Sequence, residues 1–178
     1  EWRHQNELRY QRLSLSPDVA NQVAVLLGRH PRGLEEIAVT GATGEPVVIR
    51  VASLVDDKPF PTLFWLIDPG LCYRIDQFEA AGLISQLQQR IDTDADLQRG
   101  MRDDHLAHIA LRERCMRPHD RKRLQELGFG EALVKRGIGG IADFTRIRCL
   151  HTWYGAHLVV PNTVGGLLDD WWRMPATS

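Results

Sequence analysis

The strand-forming patterns of this sequence lie in one short stretch, and their position constrains the fold more than any other feature. Residues 36–40 and 46–54 are rich in β-branched side chains, and the segment G-A-T-G between them is typical of a hairpin turn. A third run, residues 62–67, is apolar and ends at D-P-G. Three consecutive strands predict a small antiparallel sheet rather than alternating β–α–β units.

Helical patterns flank this stretch on both sides. Ser16 and Pro17 form an N-cap signal for a helix that we expect to end near Leu27. After Pro69, apolar residues recur at helical spacing, and residues 143–160 are expected to form a single central helix. The predicted fold class is therefore α+β, with a small antiparallel sheet in the N-terminal third packed against a mostly helical C-terminal two-thirds.

Chain length and charge limit the domain organisation and the partners. The 178 residues suit one domain, so we expect an N-terminal extension over residues 1–15 and a single α+β domain over residues 16–178. Lys and Arg total 22 against 23 Asp and Glu, which gives no reason to expect a nucleic-acid partner. No run reaches the ~18 apolar residues of a membrane-spanning helix, so no membrane partner is expected. Three widely spaced cysteines indicate reduced thiols and a cytoplasmic location.

The segment R-I-R-C-L-H, residues 146–151, contains the densest group of reactive side chains. In a functional interpretation, Cys149 is a nucleophile and His151 is its base, and the two arginines of the segment, Arg146 and Arg148, form an anion clamp. On a helix, residues two apart point about 200° away from each other, which would separate Cys149 from His151. This geometry favours the alternative, a packed helix with a buried, inert thiol and a hydrogen-bonded histidine. In that case Cys149 is expected to be poorly accessible.

His105 is the third candidate catalytic residue, after Cys149 and His151. It lies on the same helical face as Met101, with Arg112 two turns further along. An imidazole and a guanidinium are costly to bury unless they are paired. The side chains of His105 and Arg112 therefore either line a pocket or belong to a buried structural network, and both alternatives remain open.

Two glycine-rich loops carry the candidate anion-binding residues. Glycine lets backbone N–H groups turn toward an anion, and arginine offers a fork of donors that suits carboxylate or phosphate. The loops span residues 28–33 and 135–140, and neither matches a known nucleotide-binding motif. A hinge with solvated basic residues is the alternative. The sequence thus predicts a small anionic ligand, such as a phosphate compound, bound by Arg29, Arg32, Arg136, Arg148, Gly137, Gly139 and Gly140.

These observations lead to two functional hypotheses. The first is a cytoplasmic protein that binds a small anion and could hydrolyse it. The alternative is a non-enzymatic assembly or regulatory module that binds a protein, because the adjacent Trp171 and Trp172 point different ways on a helix. No cofactor is predicted, and a metal site that uses His105, His151 or His157 ranks last.

Several blocks of the sequence occur together in a characteristic order. They are L-G-R-H-P-R-G (27–33), P-F-P-T-L-F-W-L (59–66), F-E-A-A-G-L (78–83), R-G-I-G-G-I (136–141), R-C-L-H (148–151) and N-T-V-G (162–165). In this order the chain resembles DUF501, a bacterial family of unknown function, over roughly residues 20–168. The resemblance implies no established activity, but it favours the glycine–arginine loops and the R-C-L-H block as the shared site.

The chain also departs from the family pattern. Thr163 stands where the pattern has proline, and Asp68 stands where many relatives have cysteine. The histidine that follows the C-L-H block is spaced differently in this chain, at His157. The departures at Asp68 and His157 weaken the metal hypothesis.

Overall fold

The β-branched runs form a three-stranded antiparallel sheet, as the sequence predicts. The computed structural model describes residues 15–173, so residues 1–14, most of the predicted N-terminal extension, lie outside the described residues, as do residues 174–178. The strands of this sheet are β1 (Leu34–Thr40), β2 (Pro46–Val51) and β5 (Phe64–Leu66). Strand β2 is central, and its Ile49 pairs with Ile37 of β1 and with Trp65 of β5.

A separate hairpin follows the second strand. The sequence predicted one strand over residues 46–54, but β2 ends at Val51, and the next amide, Ala52 N–H, donates to the carbonyl of Gly33, just before β1. The hairpin consists of β3 (Leu54–Val55) and β4 (Lys58–Pro59). Its two turn residues, Asp56 and Asp57, both have positive φ, as a type I′ turn requires.

Seven helices make up most of the remaining described chain, and the predicted α+β class is confirmed. None of the described helices combines the length and the apolar character needed to cross a bilayer. The helices are α1 (Pro17–Leu27), α2 (Pro69–Ala80), α3 (Leu83–Asp92), α4 (Ala95–Cys115), α5 (Pro118–Glu126), α6 (Leu150–Val159) and α7 (Thr163–Arg173).

The expectation of one helix over residues 143–160 is wrong, because only α6, its second half, is helical. A distant side chain satisfies the backbone before α6. The amide of Gln88 accepts from Ile147 N–H at 3.0 Å and donates to the carbonyl of Thr145 at 2.8 Å. The Asp143 carboxylate accepts from the backbone N–H of Thr145 at 3.0 Å. These backbone groups therefore have partners without a helix, which makes an irregular approach to α6 stable.

Both faces of the sheet are covered. Ala38, Val48 and Phe64 pack with the helices that follow the sheet, in the larger of two buried clusters. Ile37 and Ile49 point to the opposite face, where Val23 of α1 covers them. This alternation is the pattern of strands that are buried on both sides. The larger cluster holds the start of α6 against the sheet.

His105 and Arg112, which share one face of α4, form part of the interior. The Arg112 side chain is fully buried and donates to the carbonyls of Pro61 at 3.0 Å and Arg136 at 2.7 Å, and also to that of Leu133. His105 Nδ1 accepts from the backbone N–H of Ile138 at 3.0 Å. Both side chains therefore fix the loop that precedes α6. This supports the interpretation of His105 and Arg112 as a buried structural network rather than as the lining of a pocket.

Acid is expected to destabilise the fold through two buried histidines of α4. Burial lowers the pKa of His105 to about 4, and burial with the charges of Arg112 and His105 lowers that of His108 to about 3. In the unfolded chain both titrate near pH 6.5, so between pH 6.5 and about 4 only the unfolded state takes up these protons. Each histidine should therefore lower the unfolding free energy by up to about 1.4 kcal/mol per pH unit as the pH falls through this range.

Urea unfolding at pH 7 and pH 5 checks this expectation. His108→Leu should reduce the loss of stability between pH 7 and pH 5, whereas His30→Leu, at an exposed position, should change it much less. Equal pH dependence in the wild type and in His108→Leu would show that His108 is not held neutral by burial.

Candidate functional site

Cys149 and His151 meet at the start of α6. Cys149 is the N-cap residue and is extended, with φ −151° and ψ 122°, so the helical spacing assumed from the sequence does not apply to it. Its Sγ lies 3.6 Å from Nδ1 of His151. The sequence-based expectation that these side chains point to opposite sides is therefore wrong. Cys149 is also half-buried rather than fully enclosed.

The acidic face of α2 holds the His151 ring. Cys72, Asp76 and Glu79 follow the i, i+4, i+7 spacing of one helix face. His151 Nε2 lies 3.3 Å from the Cys72 carbonyl and 3.3 Å from Asp76 Oδ1, while Nδ1 lies 3.5 Å from Glu79 Oε1. Because a carbonyl can only accept, Nε2 carries a proton, and Nδ1 is the nitrogen that faces Cys149.

Glu79 also fixes the first turn of α6. Its Oε1 accepts from the backbone N–H of Leu150 at 2.6 Å, which satisfies one of the free amides at the helix start. The Thr152 hydroxyl donates to the carbonyl of Cys149 at 3.0 Å. Asp76 and Glu79 were not among the site residues predicted from the sequence. Their spacing on α2 is visible in the sequence, but the partner of that helix face is not.

The contact between Cys149 and His151 shifts the pKa of each group toward its charged form. The hydrogen bond with Cys149 raises the pKa of His151 to about 9, against the opposing effect of burial. Burial alone would raise the pKa of the Cys149 thiol, but the His151 ring and the Thr152 backbone outweigh it, and the net shift is downward. By contrast, burial raises the pKa of Cys72 to about 11. Of the two, Cys149 is therefore the activated thiol.

A groove of about 290 Å³ opens beside His151. It runs between the end of the sheet and the first turn of α6, and its walls are mainly aromatic and aliphatic. Such a mixture of apolar walls with a few polar groups is typical of small-molecule sites. The groove is lined by Phe60, Thr62, Phe64, Trp65, Leu66, His151 and Thr152.

The four arginines that are predicted to bind an anion lie in different environments. The Arg29 guanidinium lies over the ring of Trp65, a residue that lines the groove, at 5.4 Å from its centroid. Arg32 pairs with Asp56 of the β3–β4 hairpin at 2.6 Å. Arg136 is exposed, and its carbonyl accepts from Arg112. Arg148 is exposed and directly precedes Cys149. A shared anion clamp of the four arginines stays a prediction.

The glycines of the R-G-I-G-G-I block allow close packing. A Cβ on Gly137 would lie 2.1 Å from His105 Nδ1, and one on Gly139, which has positive φ, would lie 2.8 Å from the Thr152 hydroxyl. The block therefore fits between His105 and the first turn of α6, against which Gly139 packs. Anion binding by Gly137, Gly139 and Gly140 stays a prediction.

The other histidines considered as metal ligands have structural partners. His105 stacks on Phe144 at 4.5 Å between ring centroids, in addition to its bond from Ile138. His157 Nδ1 accepts from Asn162 N–H at 3.0 Å, so its Nε2 carries the proton and donates to Asp169 at 3.1 Å. His157 thus has no ring nitrogen free for a metal ion, and no hydrogen bond or ring contact in the described chain joins His105 to Cys149 or His151.

His151 belongs to a group with metal-ligand chemistry. One ligand atom each from Glu79, Cys149 and His151 lies within 4.8 Å of the other two. Among residues 15–173, this is the one group of three or more such side chains that could hold a metal ion.

The C-terminal tryptophans are partly buried. Trp172 packs between Phe78 and Tyr154, with ring centroids 5.4 Å and 4.7 Å away, and the Arg74 guanidinium lies over it at 5.1 Å. Trp171 also packs against the larger buried cluster. Docking of a protein partner through Trp171 and Trp172 stays a prediction.

Comparison with known proteins gives one match. A family model described as a protein of unknown function, DUF501, matches residues 37–170, a segment that includes Glu79, Cys149 and His151. No curated protein and no solved structure matches the chain. Because the family model covers well over half of the chain, the protein belongs to the DUF501 family.

Proposed function

We propose that this protein is a thiol-dependent hydrolase that acts on a small anionic ester or thioester. The observation that carries the proposal is the approach of Cys149 Sγ to His151 Nδ1, 3.6 Å away, at the start of α6. A nucleophile within reach of a base that a third group orients is the common arrangement of covalent hydrolases. Here the Cys72 carbonyl and Asp76 orient the histidine through Nε2.

The reaction uses Cys149 as nucleophile and His151 as acid and base. The thiolate attacks the carbonyl carbon, a carbon–sulfur bond forms, and the bond to the leaving group breaks. The Nδ1 proton of His151 moves to the leaving group. His151 then takes a proton from water, whose oxygen attacks the thioester, so that the carboxylic acid leaves and the thiolate is restored.

Three features favour an anionic substrate. The His151 imidazolium attracts negative charge to this place, whereas the Leu150 N–H at the positive end of α6 already donates to Glu79. Arg148, next to Cys149, is exposed, and the Arg29 guanidinium lies over Trp65, which lines the groove. Either a phosphate or a carboxylate on the substrate would suit these donors. A cytoplasmic location is part of the proposal, because the reducing environment keeps Cys149 as a free thiol.

The alternative, a non-enzymatic protein-binding module, has less support. In the sequence, this alternative rests on the adjacent Trp171 and Trp172. Both side chains pack against the larger buried cluster. Binding of a protein partner that is unaffected by Cys149→Ala and His151→Gln would favour this alternative.

A turnover screen tests the proposed function. Esters and thioesters that carry a phosphate, a carboxylate or no charge are incubated with the purified chain, and products are followed by mass spectrometry. We expect turnover of an anionic compound, a covalent acyl adduct on Cys149, and loss of at least about a hundredfold in rate in Cys149→Ala. Cys115→Ala is the matched control. Turnover that survives in Cys149→Ala, or a full panel without turnover or adduct, would contradict the proposal.

A further inference from the structure

We propose that Glu79, Cys149 and His151 also bind a thiophilic divalent cation of the zinc class. The cation takes the place of the proton shared between Cys149 and His151. The inference rests on the proposed function in one respect only, namely that the cation-bound state is inactive because its thiolate is coordinated. The site itself depends on the geometry of the three side chains.

The separations between ligand atoms match those around a tetrahedral zinc ion. Zinc lies about 2.3 Å from sulfur and about 2.0 Å from nitrogen or oxygen, so neighbouring ligand atoms in a tetrahedral site are about 3.3–3.6 Å apart. Here Cys149 Sγ lies 3.6 Å from His151 Nδ1, and Nδ1 lies 3.5 Å from Glu79 Oε1. All three atoms lie within 4.8 Å of one another. Small rotations of the side chains are enough to complete three zinc bonds.

The groups around the three ligands already have the orientation that a metal site needs. A histidine that binds zinc through one ring nitrogen almost always donates the other N–H to a carbonyl or carboxylate. His151 Nε2 has the Cys72 carbonyl and Asp76 Oδ1 at 3.3 Å, which leaves Nδ1 toward Cys149 and Glu79. The N–H of Leu150 fixes the Glu79 carboxylate at 2.6 Å.

The ligand types select the class of cation. Thiolate and imidazole favour zinc and related transition metals, whereas magnesium and calcium prefer sites built from oxygen alone. The thiolate and the Glu79 carboxylate together balance the two positive charges of the ion. Cys72 contributes its carbonyl rather than its sulfur, because its thiol donates to the Leu66 carbonyl at 3.5 Å.

Partial exposure leaves room for exchange with solvent. The side chains of His151 and Glu79 are 23% and 26% exposed, so a cation can reach the site without opening of the core. Three protein ligands with a fourth position open to water distinguish an accessible zinc site from a closed structural one.

Metal titration tests the site directly. The purified full chain, without a histidine tag and cleared of metal by a chelator, is titrated with Co²⁺ and Zn²⁺. We expect one equivalent of Co²⁺ to give thiolate-to-cobalt charge-transfer absorption, which Zn²⁺ then removes and Mg²⁺ does not. Cys149→Ser should abolish the absorption, and His151→Ala and Glu79→Gln should each weaken binding by about tenfold or more. Cys115→Ser and His30→Ala are the matched controls, and a charge-transfer band that survives in Cys149→Ser would overturn the inference.

Labelling of Cys149 by iodoacetamide, with and without Zn²⁺, separates this inference from the proposed function. Protection by one equivalent of Zn²⁺ supports the site. Rapid labelling that Zn²⁺ does not slow overturns the site and leaves the nucleophile in place. Slow labelling of the metal-free chain together with stoichiometric zinc binding supports the site and overturns the proposed function instead.

Discussion

Replacing Arg112 by methionine is expected to lower the unfolding free energy by about 2–5 kcal/mol. The guanidinium donates to three carbonyls that are far from it in sequence, those of Pro61, Leu133 and Arg136. Methionine fills most of the volume but leaves these carbonyls without their donor, at about 1–3 kcal/mol for each one that stays buried. Relief of the buried positive charge offsets only part of this loss.

Urea unfolding measures this effect. Arg114→Met, two residues away on the exposed side of α4, is the matched control and should change stability by less than about 0.5 kcal/mol. Arg112→Lys should also be destabilising, because an ammonium group lacks the planar fork that reaches several carbonyls at once. Stability of Arg112→Met equal to that of Arg114→Met would show that the three carbonyl bonds do not hold the loops.

Local sequence signals predicted the sheet and the first helix. The Ser16 hydroxyl accepts from Val19 N–H at 3.3 Å with Pro17 next to it, and Gly28 ends the helix with φ 66°. These features depend on residues within one turn of each other, so they can be recognised without knowledge of the fold. The same holds for the strands, whose β-branched composition lies in contiguous runs.

The structure before Cys149 could not be predicted in this way. In this segment the backbone N–H of Ile147 donates to the side chain of Gln88, which is 59 residues away in the sequence. The apolar composition of residues 143–160 fits a buried helix and a buried irregular segment equally well, because periodicity cannot distinguish them. A helix that began at Asp143 would separate the side chains of Cys149 and His151. Because α6 begins at Leu150, Cys149 is extended and its side chain meets His151.

The candidate site was therefore predicted in part. Cys149 and His151 were identified from residue type, but their proximity depends on the extended conformation of Cys149. Glu79 and Asp76 were missed because the pairing of α2 with α6 is a tertiary property. From the sequence, Arg112 is unusual because it shares a helical face with apolar residues such as Met101. Only the fold shows which carbonyls it binds.

Cys149 is expected to be the fastest-reacting of the three thiols toward iodoacetamide. The thiolate is the reactive form, and the adjacent His151 ring stabilises it. At pH 7 we expect Cys149 of the native, metal-free chain to react at least about tenfold faster than Cys72, whose pKa burial raises to about 11. His151→Gln should slow Cys149 by about tenfold, because glutamine retains polarity but cannot carry the positive charge.

The rate of this alkylation, followed by peptide mapping of the native and the urea-unfolded chain, tests the central claim most directly. The proposed nucleophile requires native Cys149 to react about fivefold or more faster than the same residue in the unfolded chain, and to lose this advantage in His151→Gln. Native Cys149 that reacts more slowly than in the unfolded chain, and at the same rate with or without His151, would contradict the claim and show an inert structural thiol.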